Sequence, residues 1–169
     1  MVKEWRSFEP QEISEPDLVS VVEEILVPDV TKRFPIMWRG DYDRKRAEAW
    51  IKEQNSETKT LLAVEKESKK PIGFINFFKV GAKSLGAKRS EGTYFRLGYM
   101  LNKVMWNNGF ATEFVDGFLD WSKKNDVSAI LARVEPDNVA SIRVLEKNNF
   151  STQTTDSDGR SLLFLYDLV

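Results

Sequence analysis

The chain has 169 residues, 41% hydrophobic and 30% charged, with a formal net charge of −1, an ordinary balance for one globular domain with a full core. It has no cysteine and no histidine, which excludes disulfides, thiolate nucleophiles, imidazole bases and Cys/His metal sites, so no metal is expected. Near-neutral charge gives no basic footprint for nucleic acid, no apolar run nears the roughly 20 residues of a membrane span, and the opening MVKEWRSFEP lacks a signal peptide's apolar core, so the cytoplasm is the expected compartment.

In chain order, residues 1–12, with Trp5 and Phe8 ahead of Pro10, read as a short edge strand. Ser14, Glu15, Pro16 and Asp17 make a helix start: a capping hydroxyl, acids in the first turn, and a proline where its missing N–H is harmless. Leu18, Val21, Val22 and Ile25 then share one helical face, which predicts a helix to about residue 26. Residues 28–40, PDVTKRFPIMWRG, read as loop, and a second helix over 43–54 would bury Ala47, Trp50 and Ile51. Residues 60–66 and 72–80 read as an antiparallel hairpin around the turn 67–71. The stretch 81–92, GAKSLGAKRSEG, has no periodicity and many small residues; a loop of that length in a compact domain is often functional. Its Lys83, Lys88 and Arg89 form only a local basic cluster.

The chain is organised around residues 93–125. From 93 to 101 the composition is that of a buried strand, with Gly98 suggesting a bulge or a close backbone approach. From Phe110 the period changes to a helix, with Phe114 and Phe118 at i+4 and i+8 and with Ala111, Val115 and Leu119 beside them. Lys123, Lys124 and Asn125 should end it, Asn125 taking the left-handed cap. At the junction, Trp106-Asn107-Asn108-Gly109-Phe110-Ala111, a glycine and a small residue lie where free N–H groups and the helix dipole favour a pyrophosphate. The same residues would also make a plain turn and N-cap. Residues 127–134, VSAILARV, fit an interior strand parallel to 93–101 through a right-handed crossover. Asp137 or Asn138 should cap a helix to about residue 148, and 152–155 with 162–168 should form a last hairpin, turned at Asp158 and Gly159.

Trp106-x-x-Gly109-x-Ala111-Thr112-Glu113, preceded by Leu97-Gly98-Tyr99-x-Leu101, resembles the acetyl-CoA motif of the GNAT superfamily of N-acetyltransferases, particularly its RimJ/RimL-like branch. A second stretch, Asn138-x-x-Ser141-x-x-Val144-Leu145-Glu146-Lys147-x-Asn149-Phe150, is similar to that branch's segment after the fifth strand. The likeness covers residues 70–150 and is faint before them. It implies a single domain over residues 1–169 with the α/β (α+β) acyl-CoA N-acyltransferase fold. In that fold a mixed, mostly antiparallel sheet of six to seven strands is flanked by about four helices, with a splayed parallel pair at the cofactor cleft. It also implies acetyl-CoA as co-substrate and direct transfer of acetyl to a primary amine, on a protein N-terminus or a small molecule, in a ternary complex.

On this resemblance Met100, Leu101 and Asn102 would line the pantetheine and the reacting carbonyl. Trp106, Asn107, Asn108, Gly109, Phe110, Ala111 and Thr112 would hold the pyrophosphate. Trp106 stands where most branches have Arg or Gln, so the phosphate contact would rest on backbone donors, and Glu113 should point away. Asn138 would bond the pantetheine amide, and Ser141 would serve as proton source at the thioester sulfur, because Leu145 replaces a Tyr that many members carry. Glu135 is the candidate base, with Glu91 and Tyr99 as alternatives through water. Phe34, Met37, Trp38 and Tyr99 are candidate substrate contacts, although the first three would equally pack over the sheet edge. Freeing an α-amino group of pKa about 8 at neutral pH costs about 1.4 kcal/mol, and a lysine amine of about 10.4 more than about 4. An α-amino or arylamine acceptor therefore asks least of a base. Two other classes stay open: a non-catalytic acyl-CoA sensor, motivated by the missing Tyr, and a nucleotide-binding regulatory protein. The sequence fixes neither the acceptor nor the choice between monomer and homodimer.

Overall fold

The structure, a computed structural model, describes residues 2–4, 18–85, 92–155 and 159–168. In chain order these form β1 (Val2–Glu4), α1 (Leu18–Ile25), α2 (Pro28–Thr31), α3 (Arg44–Glu57), β2 (Lys59–Val64) and β3 (Pro71–Val80). There follow β4 (Tyr94–Leu101), α4 (Phe110–Lys123), β5 (Ala129–Val134), α5 (Val139–Lys147), β6 (Ser151–Thr155) and β7 (Leu162–Asp167). The strands make one seven-stranded sheet in the order β1-β2-β3-β4-β5-β7-β6. β4 and β5 pair in parallel, while β1 with β2, β5 with β7 and β6 with β7 are antiparallel. This is the mixed α/β architecture that the motifs implied. By compactness the chain divides into two units, Met1–Asn76 with Tyr99–Phe110, and Phe77–Gly98 with Ala111–Val169.

In the first unit the apolar stripe of α1 works as its period requires: Val21, Val22 and Ile25 are buried against Ala47 and Trp50 of α3 and Leu62, Val64 and Phe74 of the sheet. Trp50 meets Phe74 at 5.8 Å between ring centroids and Tyr42 edge-on at 6.4 Å. Each such buried large side chain contributes about 1.5–3 kcal/mol over its exposed state. Asp43 starts α3 by accepting from the Arg46 backbone N–H at 2.8 Å, an N-cap worth about 1 kcal/mol. The residues 28–40 are less irregular than their composition suggested: Pro28 opens the one-turn α2, and Ile36–Trp38 form a 3-10 turn. The expected helix start at Ser14 to Asp17 lies outside the described residues.

In the second unit Phe77 is the hub, with ring centroids of Phe95, Phe118 and Trp121 at 5.0, 5.2 and 5.0 Å. Phe114, Val115, Phe118 and Leu119 are the buried stripe of α4. The helix ends at Lys123, within the stop Lys123 to Asn125 that the sequence offered, but the left-handed cap falls one residue later than expected. Asn125 stays in the last turn, its Nδ2 donating to Trp121 O at 2.8 Å, and Asp126 takes the left-handed φ of +53°. β5 begins at Ala129 because the Val127 N–H is still engaged by Ser122 O at 3.2 Å. In β5 every residue except Arg133 is buried, the near-continuous apolar run of a strand covered on both faces. Glu91 and Asp158 lie outside the described residues.

Candidate active site

The parallel ladder runs from Tyr94↔Ala129 to Leu97↔Ala132, while β4 itself continues to Leu101. At its end the backbone N–H of Asn102 donates to Ile72 O at 2.8 Å. The Asn102 side chain is buried, and burial obliges its polar atoms to find partners. Oδ1 accepts from the Val104 N–H at 3.2 Å, capping a 3-10 turn over Lys103–Met105, and Nδ2 donates to Glu24 Oε1 at 3.0 Å. The Lys103 ammonium pairs with the Asp29 carboxylate, and this hydrogen bond and charge hold Asp29 below its ordinary pKa. Trp106 turns its indole inward, Nε1 donating to Leu101 O at 2.9 Å. Residues 102–106 are thus tied to β4, α1 and α2 by three side chains.

Beyond Trp106 the backbone alternates. Asn107 has φ +63° and Gly109 φ +82°, conformations that asparagine tolerates and glycine favours. Asn108 Nδ2 closes on Trp106 O at 3.0 Å. Among the described residues nothing accepts from the backbone N–H of Asn107, Asn108 or Gly109. The first N–H groups of α4, from Phe110 on, also lack partners by helix geometry. A Cβ placed on Gly109 would meet no atom within 4 Å. Three consecutive donors with no acceptor among the described residues, the positive end of a helix dipole and open space at Gly109 fit a diphosphate.

A glycine the sequence reading passed over fixes this strand end. A Cβ on Gly73 in β3 would stand 2.5 Å from Met100 O and 3.2 Å from Leu101 Cα. Glycine at position 73 therefore lets the backbones of β3 and β4 approach where Met100 and Leu101 sit. Of the candidate substrate contacts, Phe34 and Trp38 pack with Met100 against the α1–α3 core, Tyr99 is half-buried on β4, and Met37 is 74% exposed beside Ile36. Several side chains tie the segment bearing Phe34, Met37 and Trp38, among them Arg46, which carries no helical-period signal. The Arg46 guanidinium donates to Asp41 O (2.8 Å), Met37 O (3.0 Å) and Arg39 O (2.6 Å) and lies 4.7 Å from the Tyr42 ring centroid. Tyr42 OH donates to Trp38 O at 3.0 Å, and burial, the larger influence, pushes its pKa up to about 12.

The remaining predicted residues belong to the second unit. Ala111 and Thr112 are half-buried in the first turn of α4, and Glu113 is exposed. Thr112 O accepts from Nδ2 of the buried Asn148 at 3.2 Å, a tie missed because Asn148 read only as a helix stop. Of the two candidates, it is Asn138 that caps α5: its Oδ1 accepts from the Ser141 N–H at 3.3 Å and its Nδ2 donates to Ser141 Oγ at 3.1 Å. A hydroxyl oxygen that accepts from Asn138 keeps its own proton to donate. Glu135 is exposed ahead of Pro136, and Leu145 is fully buried.

Solved structures share this architecture. A GNAT-family acetyltransferase from Bacillus anthracis superposes with a TM-score of 0.73 at 17% identity, covering 99% of this chain and 93% of its own. YncA from Salmonella typhimurium, solved with its cofactor acetyl-CoA, gives 0.62 at 15% identity, covering 100% and 94%. Arabidopsis thaliana NAA60, in complex with a bisubstrate analogue, gives 0.61 at 17%, covering 90% and 94%. A comparison with curated protein sequences gives no match. The model of the acetyltransferase (GNAT) domain matches residues 11–151, and the chain belongs to that family.

Proposed function

We propose that this chain is an acetyl-CoA-dependent N-acetyltransferase of the RimJ/RimL-like branch, one domain over residues 1–169, that acetylates a primary amine on a protein N-terminus or a small molecule. What carries the reading is the turn at residues 107–109, whose N–H groups have no acceptor among the described residues and whose two left-handed residues suit a diphosphate. Asn107, Asn108, Gly109, Phe110, Ala111 and Thr112 would hold it by backbone donors, with Trp106 shaping the turn through Leu101 O. Met100, Leu101 and Asn102 would line the pantetheine arm. The parallel register that ends at Leu97, four residues before the end of β4, supports this. When bound, acetyl-CoA supplies an acyl group already activated as a thioester.

The chain's own work is then proton handling and orientation. Asn138 would fix the Ser141 hydroxyl as a donor toward the departing sulfur, and Glu135, directly or through water, would take the amine's proton; passed on through water, that proton would restore the one Ser141 gives to the thiolate. The absence of cysteine excludes a cysteinyl thioester intermediate, and direct attack of the amine on the cofactor's thioester needs none. One observation favours a second reading, a non-catalytic acyl-CoA sensor: Leu145, at the place of the acid Tyr, is fully buried. Labelled acetyl-CoA offered with peptide N-termini, polyamines, aminoglycosides and amino acids decides between them. Turnover of an amine that falls in Ser141→Ala supports the enzyme; coenzyme A binding with no turnover supports the sensor.

A further inference from the structure

We infer that Glu24 is the carboxylate that receives the cationic amine of the acceptor, and that Asn102 is the residue that positions it. The inference rests on the acetyltransferase reading above. Glu24 lies in the last turn of α1 and is exposed, yet its Oε1 accepts from Asn102 Nδ2 at 3.0 Å. Asn102 is only 7% exposed and is fixed at two further points, its N–H on Ile72 O and its Oδ1 on the Val104 N–H. An amide fixed at these points presents its Nδ2 in one direction, and Glu24 Oε1 is the acceptor it meets. Surface glutamates ordinarily sample many rotamers, and ordering one is an entropic cost that a solvated face does not require.

The second observation is the missing counter-charge. Among the described residues no cation pairs with Glu24; Lys103, directly after Asn102, gives its ammonium to Asp29 instead. A held carboxylate with no cation is a place prepared for one from outside. Its position agrees, because Asn102 follows Met100 and Leu101, the residues assigned to the reacting carbonyl, and the amine must approach that carbonyl. No reading of the sequence pointed to Glu24, because it occurs on a polar face among other acids and its partner is 78 residues away.

The test is Glu24→Gln, which keeps the side chain's shape and its acceptor for Asn102 and removes only the charge. Steady-state kinetics should give an acceptor KM raised by about 10- to 100-fold, the value of one charge-assisted contact, with acetyl-CoA KM and thermal stabilisation by coenzyme A unchanged. Glu24→Asp should recover part of the loss, and a neutral arylamine, if turned over, should be affected little. An acceptor KM within about two-fold of wild type, or a loss confined to kcat, overturns the inference and leaves the enzyme reading standing. A wild-type protein that binds coenzyme A but turns over no amine overturns both.

Discussion

Gly73→Ala probes how the end of β4 is set. The new methyl would lie 2.5 Å from Met100 O and 3.0 Å from Leu101 Cδ1, when Cβ contacts under 3.0 Å essentially never occur. Leu101 Cδ1 can rotate away; Met100 O belongs to a paired strand and can only move with it. Overpacking against backbone costs about 1–3 kcal/mol, which in a protein of this size lowers Tm by about 2–4 °C per kcal/mol, or about 2–12 °C. The shift falls on the residues assigned to the reacting carbonyl and on Leu101 O, which accepts from Trp106. A displacement approaching 1 Å there costs up to about 10²-fold in turnover. Scanning calorimetry and kcat/KM measure the two effects separately. A Tm within about 1 °C of wild type would refute the close approach of β3 and β4. A lowered Tm with unchanged kcat/KM would keep the packing and refute the placing of chemistry at this strand end.

Trp106→Phe removes the bond to Leu101 O and should cost about 0.5–1.5 kcal/mol by thermal melting, with weaker coenzyme A binding measured alongside. Asn138→Ala removes the α5 cap and should cost about 1 kcal/mol; Asn138→Asp, which still accepts from the Ser141 N–H, should restore stability without restoring the donor to Ser141 Oγ, so that its kcat stays low. Tyr42, its pKa raised from 10.0 to about 12 by burial, favours the fold in its neutral form. That contribution is whole below pH 10.0 and is lost as pH rises toward 12, so the alkaline unfolding limb should be shallower in Tyr42→Phe.

The elements that the sequence disclosed are those whose period is set by burial. The stripes Val21, Val22, Ile25 and Phe114, Phe118 follow helical spacing because one face of each helix is in a core. The Gly109 turn was legible because left-handed backbone restricts residue choice. Contacts between residues distant in sequence were not legible: Glu24 with Asn102, Gly73 with Met100, and Asn148 with Thr112 leave no spacing to read. Nor was the Arg46 clamp on residues 37–41, since an arginine that binds carbonyls looks like any solvated helix arginine. The misplaced cap of α4 has a similar cause. Asn125 and Asp126 both suit the left-handed position, and the Asn125 side chain bond to Trp121 O decided between them.

Calorimetric titration of the wild-type chain and of Gly109→Ala with coenzyme A tests the diphosphate turn most directly. The account predicts measurable binding by the wild type and affinity lower by about 10-fold or more in Gly109→Ala. There a methyl enters the open space above the turn, an alanine is forced toward φ +82°, and about one charge-assisted bond is lost. No heat with the wild type, or equal affinity in the two proteins, contradicts it.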